Sequence, residues 1–184
     1  MKGYSQARKI AMMALLLGSA SLVAQTATGT INATLINKSA ISLIFDSDPA
    51  GVTLGGNGSS AASVNLGTIS AFGPLAPGVT RPTVTAGNYT VRTLFDVQVI
   101  RGGVTSPSYT LSAQLAAIAP TGLTYAIDTV TLTTAAQNIQ TNGAYDTDVR
   151  HALNLTVSTA APGAGGPAVG TPLTTTINFT ATAN

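Results

Sequence analysis

The chain of 184 residues contains no cysteine and no tryptophan, a single histidine, and acidic residues that are all aspartate. Each absence removes a class of chemistry. Without cysteine there is neither a disulfide scaffold nor a thiolate metal site. One histidine rules out sites built from several imidazoles. Without tryptophan, and with only 5% aromatic residues, sugar recognition by ring stacking is poorly supported. Charged residues make up 8% of the chain, against a usual quarter or so. The lack of glutamate and the scarcity of lysine argue against a helical bundle. Thr, Ser, Ala, Val and Asn dominate instead, a composition that favours strands and turns.

The first 24 residues read as a secretory signal peptide. Lys2, Arg8 and Lys9 form a basic start, Ile10 to Leu17 is an apolar run, and small residues follow at Gly18, Ser19, Ala20 and Ala24. The run is short for a membrane span. Cleavage is expected after Ala24, with Ala20 as the other position. Cutting after Ala24 leaves 160 residues with five basic and six acidic side chains, a net charge of −1. The five are Lys38, Arg81, Arg92, Arg101 and Arg150, and they are scattered. That removes the electrostatic case for a nucleic-acid partner, which needs clustered cations. No second apolar span follows, so the mature chain is expected outside the inner membrane, secreted or at the cell surface.

From there the chain alternates with period two, the pattern of strands with one buried and one wet face. In residues 88–100, Tyr89, Val91, Phe95, Val97 and Val99 share a side. Tyr109, Leu111 and Leu115 repeat the pattern, with the strand running on toward residue 119. Leu123, Tyr125 and Ile127 follow, and a shift to Val130 and Leu132 predicts a bulge or break near Asp128. Leu153, Leu155 and Val157 define another strand; Leu173, Ile177 and Phe179 define the last. Ile41, Leu43 and Phe45 precede these, and so do Val64 and Leu66 in the segment VNLGTIS. Seven to nine strands in one domain predict a single antiparallel β-sandwich. The expected core is Tyr89, Val91, Phe95, Val97, Leu111, Leu153, Leu155, Ile177 and Phe179. Residues 51–60, 72–87 and 160–172 are Gly- and Pro-rich connectors, the last a long hairpin loop.

Few side chains invite chemistry. His151 lies beside Asp146 and Asp148, but no G-x-S-x-G elbow accompanies it, and it reads as a surface histidine at a strand start. The pairs Asp46/Asp48 and Asp146/Asp148 could offer oxygens to calcium, yet turn formation accounts for them more simply. Arg101-Gly102-Gly103 reads as a turn. No catalytic residue, no metal ligand and no cofactor are expected, and the chain reads as a non-enzyme. The segment after the leader is more telling. In TATGTINATLIN, Ala27, Gly29, Ile31, Ala33 and Leu35 share one face, and Thr28, Thr30, Asn32 and Thr34 the other. Residues 25–36 are therefore either an ordinary first strand of the domain at 37–184 or a strand donated to a neighbour.

The order of signal peptide, alternating N-terminal strand, VNLGTIS segment, sandwich strands and a closing TTTINFTATAN resembles secreted subunits of chaperone–usher pili. It is closest to the archaic type and to the related spore-coat-U-like domains. Val64-Asn65-Leu66-Gly67-Thr68-Ile69 resembles an early family segment. Ile177, Phe179, Ala181 and Ala183 resemble the family's alternating C-terminal strand. The chain lacks the cysteine pair that usually staples the first strand there, and the tyrosine common near the C-terminus. The resemblance implies an incomplete immunoglobulin-like sandwich completed by donor-strand exchange. It implies a fimbrial, adhesive role with copies of itself or related subunits as partners, helped by a periplasmic chaperone and an usher. Ala27, Gly29, Ile31, Ala33 and Leu35 would be the donor residues. The alternative is a monomeric secreted sandwich that binds carbohydrate or protein.

Overall fold

The structure, a computed structural model, describes residues 40–158 and 173–184. They belong to one compact unit, Asn37–Asn184, and contain nine strands and no helix. The strands are β1 Ala40–Asp46, β2 Thr80–Val84, β3 Asn88–Gly102, β4 Tyr109–Leu115, β5 Leu123–Ile127, β6 Val130–Thr131, β7 Gln137–Gly143, β8 Asp148–Ser158 and β9 Ile177–Ala183. One sheet, A, has the order β1-β3-β8-β5-β6, with β2 pairing β3 above β1 on the same edge; the other, C, has the order β7-β4-β9. All pairings are antiparallel. The expected all-β sandwich is present.

The spine of sheet A is the ladder of β3 and β8, in register from Asn88↔Ser158 to Gln98↔Asp148. Its inward side chains, Tyr89, Val91, Phe95, Val97 and Val99 on β3 with Leu155 and Val157 on β8, are buried. Sheet C packs Tyr109, Leu111, Ala113 and Leu115 of β4 against them. Of the expected core, Tyr89, Val91, Phe95, Val97, Leu111 and Leu155 are buried. Leu153, Ile177 and Phe179 are partly buried and packed against it.

Two sides of the sandwich differ. On one, the chain crosses between sheets without a break. Leu132 N–H donates to Tyr125 in sheet A, and Leu115 N–H of sheet C donates to Thr133 in the same passing segment. The expected break at Asp128 is a turn: Asp128 has φ +54° and Ile127 pairs Val130 across it. On the other side, β1 and β9 are edge strands of the two sheets, and no described segment joins them.

Three expectations are corrected. VNLGTIS is not a strand. Residues 51–79 form an irregular connector pinned by two isolated bridges, Phe45↔Ser59 and Gly55↔Ser63. Within it Gly67 has φ +63°, the left-handed region open to glycine, and donates its N–H to Asn65 Oδ1 at 2.9 Å. This Asx turn, not a period of two, decides the local path. The strand expected to reach residue 119 ends at Leu115, and Ile118 is exposed to solvent. β2 lies inside the connector expected at 72–87.

Candidate functional site

The open side is built from backbone outward. In the β4–β9 ladder Tyr109 faces Ala183 and Leu115 faces Ile177. Ala116 N–H donates to Thr176 and Asn184 N–H to Ser108, so the even-numbered residues of β9 exchange hydrogen bonds with β4. The odd ones, Ile177, Phe179, Ala181 and Ala183, direct N–H and C=O away from it, where no described strand pairs them. Their side chains point inward and are partly buried, against exposed Asn178, Thr180 and Thr182.

β1 mirrors this. Phe45 N–H donates to Ser59 and its carbonyl accepts from Gly58, so odd residues of β1 also face away from their partner strand. At Phe45 that edge is taken by the connector. At Ile41 and Leu43 no described strand takes it, and both side chains are only partly buried against the core. The edges converge at Phe45 and Phe179, whose ring centroids are 5.0 Å apart at 70°. Phe95 lies beneath, 6.4 Å from Phe45 and 6.0 Å from Phe179.

The strand directions follow from the loops. Ala40 of β1 pairs Gly102 at the end of β3, and Arg101 N–H there donates to Asp146 Oδ1 at 3.0 Å. Asp146 neighbours Tyr145, whose hydroxyl donates to the Ser108 carbonyl at 2.9 Å and whose ring lies 5.3 Å from Tyr109. Tyr109 in turn pairs Ala183. The start of β1 and the end of β9 therefore share one end of the molecule, and the two edges run antiparallel. Among the described residues the two edges bound a groove with apolar walls, whose rims have no strand paired at Ile41, Leu43 and the odd residues of β9, and three phenylalanines cluster where the edges meet.

The expected donor residues Ala27, Gly29, Ile31, Ala33 and Leu35 lie outside the described residues. The structure does place the other candidates. His151 is not a surface histidine: it is 3% exposed and faces inward beside Phe95, ring centroids 6.0 Å apart. Its Nδ1 lies 2.7 Å from Asp128 Oδ2, not near Asp146 or Asp148, and its Nε2 has no hydrogen-bond partner among the described residues. The signal was present in the sequence, because 151, 153, 155 and 157 share parity. Asp128 also accepts from Ala152 N–H at 2.8 Å. Burial pushes the Asp128 carboxyl up, but hydrogen bonds from His151 and Ala152 and the charges of His151 and Arg92 outweigh it, and the group is held below its ordinary value. Through these two contacts the pair joins the β5–β6 turn to β8.

The aspartate pairs separate differently from the way the sequence groups them. Asp48, 2% exposed, accepts from Ala50 N–H at 2.7 Å and from Arg150 Nε. Asp46 and Asp148 stand near Asp96, opposite Arg150 in the β3–β8 register. Burial, then the repulsion of Asp48, Asp148 and Asp46 against the attraction of Arg150, pushes the Asp96 carboxyl up. No group of three potential metal ligands occurs among the described residues. Burial likewise raises the Tyr89, Tyr109 and Tyr125 phenols, with Tyr145 adding to the shift at Tyr109. The chain matches no protein-family model, no curated protein and no solved structure.

Proposed function

We propose that the protein is a structural subunit of a secreted surface fibre or coat, assembled by adding a strand of one copy to the groove between β1 and β9 of another. The observation that carries this reading is the pair of facing strand edges that no described strand pairs at Ile41, Leu43 and the odd residues of β9, above partly exposed apolar walls. Such an edge exposes a row of backbone donors and acceptors, and a protein that leaves one uncovered invites a partner strand. Residues 25–36 suit it. Ala27, Gly29, Ile31, Ala33 and Leu35 give an apolar face of the parity the groove needs, and Thr28, Thr30, Asn32 and Thr34 give a wet one. On this reading the domain is an immunoglobulin-like sandwich short of one strand. A periplasmic chaperone holds the groove until an usher passes it to the next subunit, whose N-terminal strand takes over.

The test is a charge on either half of the contact. Ile31→Asp or Leu35→Asp on the donor, and Leu43→Asp or Ala181→Asp on the acceptor, should each block assembly. An unpaired carboxylate buried in an apolar groove costs several kcal/mol, enough to cancel one strand addition. Wild-type protein from cells should run as a heat-labile ladder of multimers and each variant as a monomer. If wild-type protein is instead a stable monomer that unfolds when residues 25–36 are deleted, the segment belongs to its own sheet and the fibre reading fails.

A further inference from the structure

Charge is distributed unevenly between the two sheets. Among the described residues the charged side chains are Asp46, Asp48, Arg81, Arg92, Asp96, Arg101, Asp128, Asp146, Asp148 and Arg150. Each lies in sheet A or in a loop. β4, β7 and β9 carry none. The outer face of sheet C is instead a ladder of short neutral side chains. Thr110 faces Thr182 and Ser112 faces Thr180 in the β4–β9 register. Across the other seam Ser112 Oγ donates to Asn138 Oδ1 at 2.8 Å.

We infer that this face is a lateral contact between copies of the chain, joining neighbouring fibres side by side. The inference rests on the fibre reading above. The argument for a second copy is self-complementarity. Hydroxyls and side-chain amides each donate and accept, so a face made only of them can satisfy an identical face. It also meets its own image without like charges opposed. The outer face of sheet A carries both signs, Asp46, Asp96 and Asp148 beside Arg92 and Arg150, so it meets its own image without opposed like charges only in particular registers, whereas the face of sheet C does so in any.

Size decides between a dimer and a bundle. Three strands of seven residues span roughly 24 Å by 14 Å, or about 340 Å². A stable interface needs about 800 Å² from each partner. A single pair of faces is therefore too small to hold two monomers together. A fibre built through the edge of β9 repeats the same face along its length, and small contacts in series bind collectively. Because no ion pairs contribute, the association is insensitive to salt.

The experiment places lysine on the face at two exposed positions, Thr180→Lys with Thr182→Lys. Wild-type fibres should gather into bundles visible by electron microscopy and pelleted at low speed, at low and high salt alike. The double variant should form the same heat-labile ladder, yet its pelleted fraction should fall by an order of magnitude or more. Two controls keep the result specific. Ser42→Lys, exposed on sheet A, and Thr182→Ser should bundle as wild type does. Fibres that never bundle, or that bundle equally well in the double variant, overturn this inference and leave the fibre reading standing. A wild type that forms no multimers overturns both.

Discussion

Asp128 is a small residue with several duties. It sits at φ +54°, a conformation that aspartate tolerates better than most side chains, and turns the chain between β5 and β6. Its carboxylate then satisfies both His151 Nδ1 and the Ala152 N–H, and its carbonyl accepts from Asn154 Nδ2 at 2.9 Å. Asp128→Ala removes the carboxylate and leaves a buried imidazole with no partner on either nitrogen among the described residues. Denaturant unfolding should show a loss of about 1–3 kcal/mol. The pH dependence has a definite sign. The folded carboxyl is held below its ordinary value, so the folded state binds that proton less readily than the unfolded chain. Its contribution is full above the unfolded carboxylate value and fades as pH falls through the folded one. The gap between wild type and variant should therefore be widest at neutral pH and narrow in acid; a gap that does not change with pH would count against the pair.

At the scale of elements, β7 shows how much tertiary context can hide. Its sequence QNIQTNG has one apolar side chain, and its burial does not alternate cleanly. It is a strand because β4 beside it is one of the most buried in the molecule, and two register shifts let an irregular partner follow it. No periodicity marks such a segment. β3, β4 and β8, by contrast, are wet on one face and dry on the other, and their period of two is plain in the sequence. The groove was legible only in part. Ile177, Phe179, Ile41 and Leu43 can be read as strand residues, but a sequence does not say which edge goes unpaired, since that depends on which strands become neighbours. Gly143 closes β7 against the ring of Tyr109, and a Cβ there would come within 2.3 Å of the ring. Gly143→Ala should cost about 1–3 kcal/mol through overpacking. Tyr109→Leu in the same chain should make that cost smaller, a coupling measurable in a double-mutant cycle.

For the molecule as a whole, protection should follow the sheets unevenly. Amides of the β3–β8 ladder are shielded on both sides and should exchange slowest. In β9 the pattern should alternate. With the groove unfilled, the amides of Asn178, Thr180 and Thr182, bonded to β4, should be slow, and those of Phe179 and Ala181, on the edge that no described strand pairs, should be fast. Filling the groove should slow both sets. Hydrogen exchange of monomer and multimer would show this, and no change at Phe179 and Ala181 on assembly would mean the contact lies elsewhere. The same edge has a mechanical side. Antiparallel hydrogen bonds lie across the strands, so a pull along β9 meets the seven residues paired with β4 in shear and shares its load among them. A pull across β9 would instead part them singly. Asn184 works against that peeling, because it holds Ser108 through its N–H and its side-chain amide and accepts from Thr110 Oγ1 at 2.9 Å. The Asn184 side chain is thus a latch at one end of the β4–β9 ladder, where a tear would start.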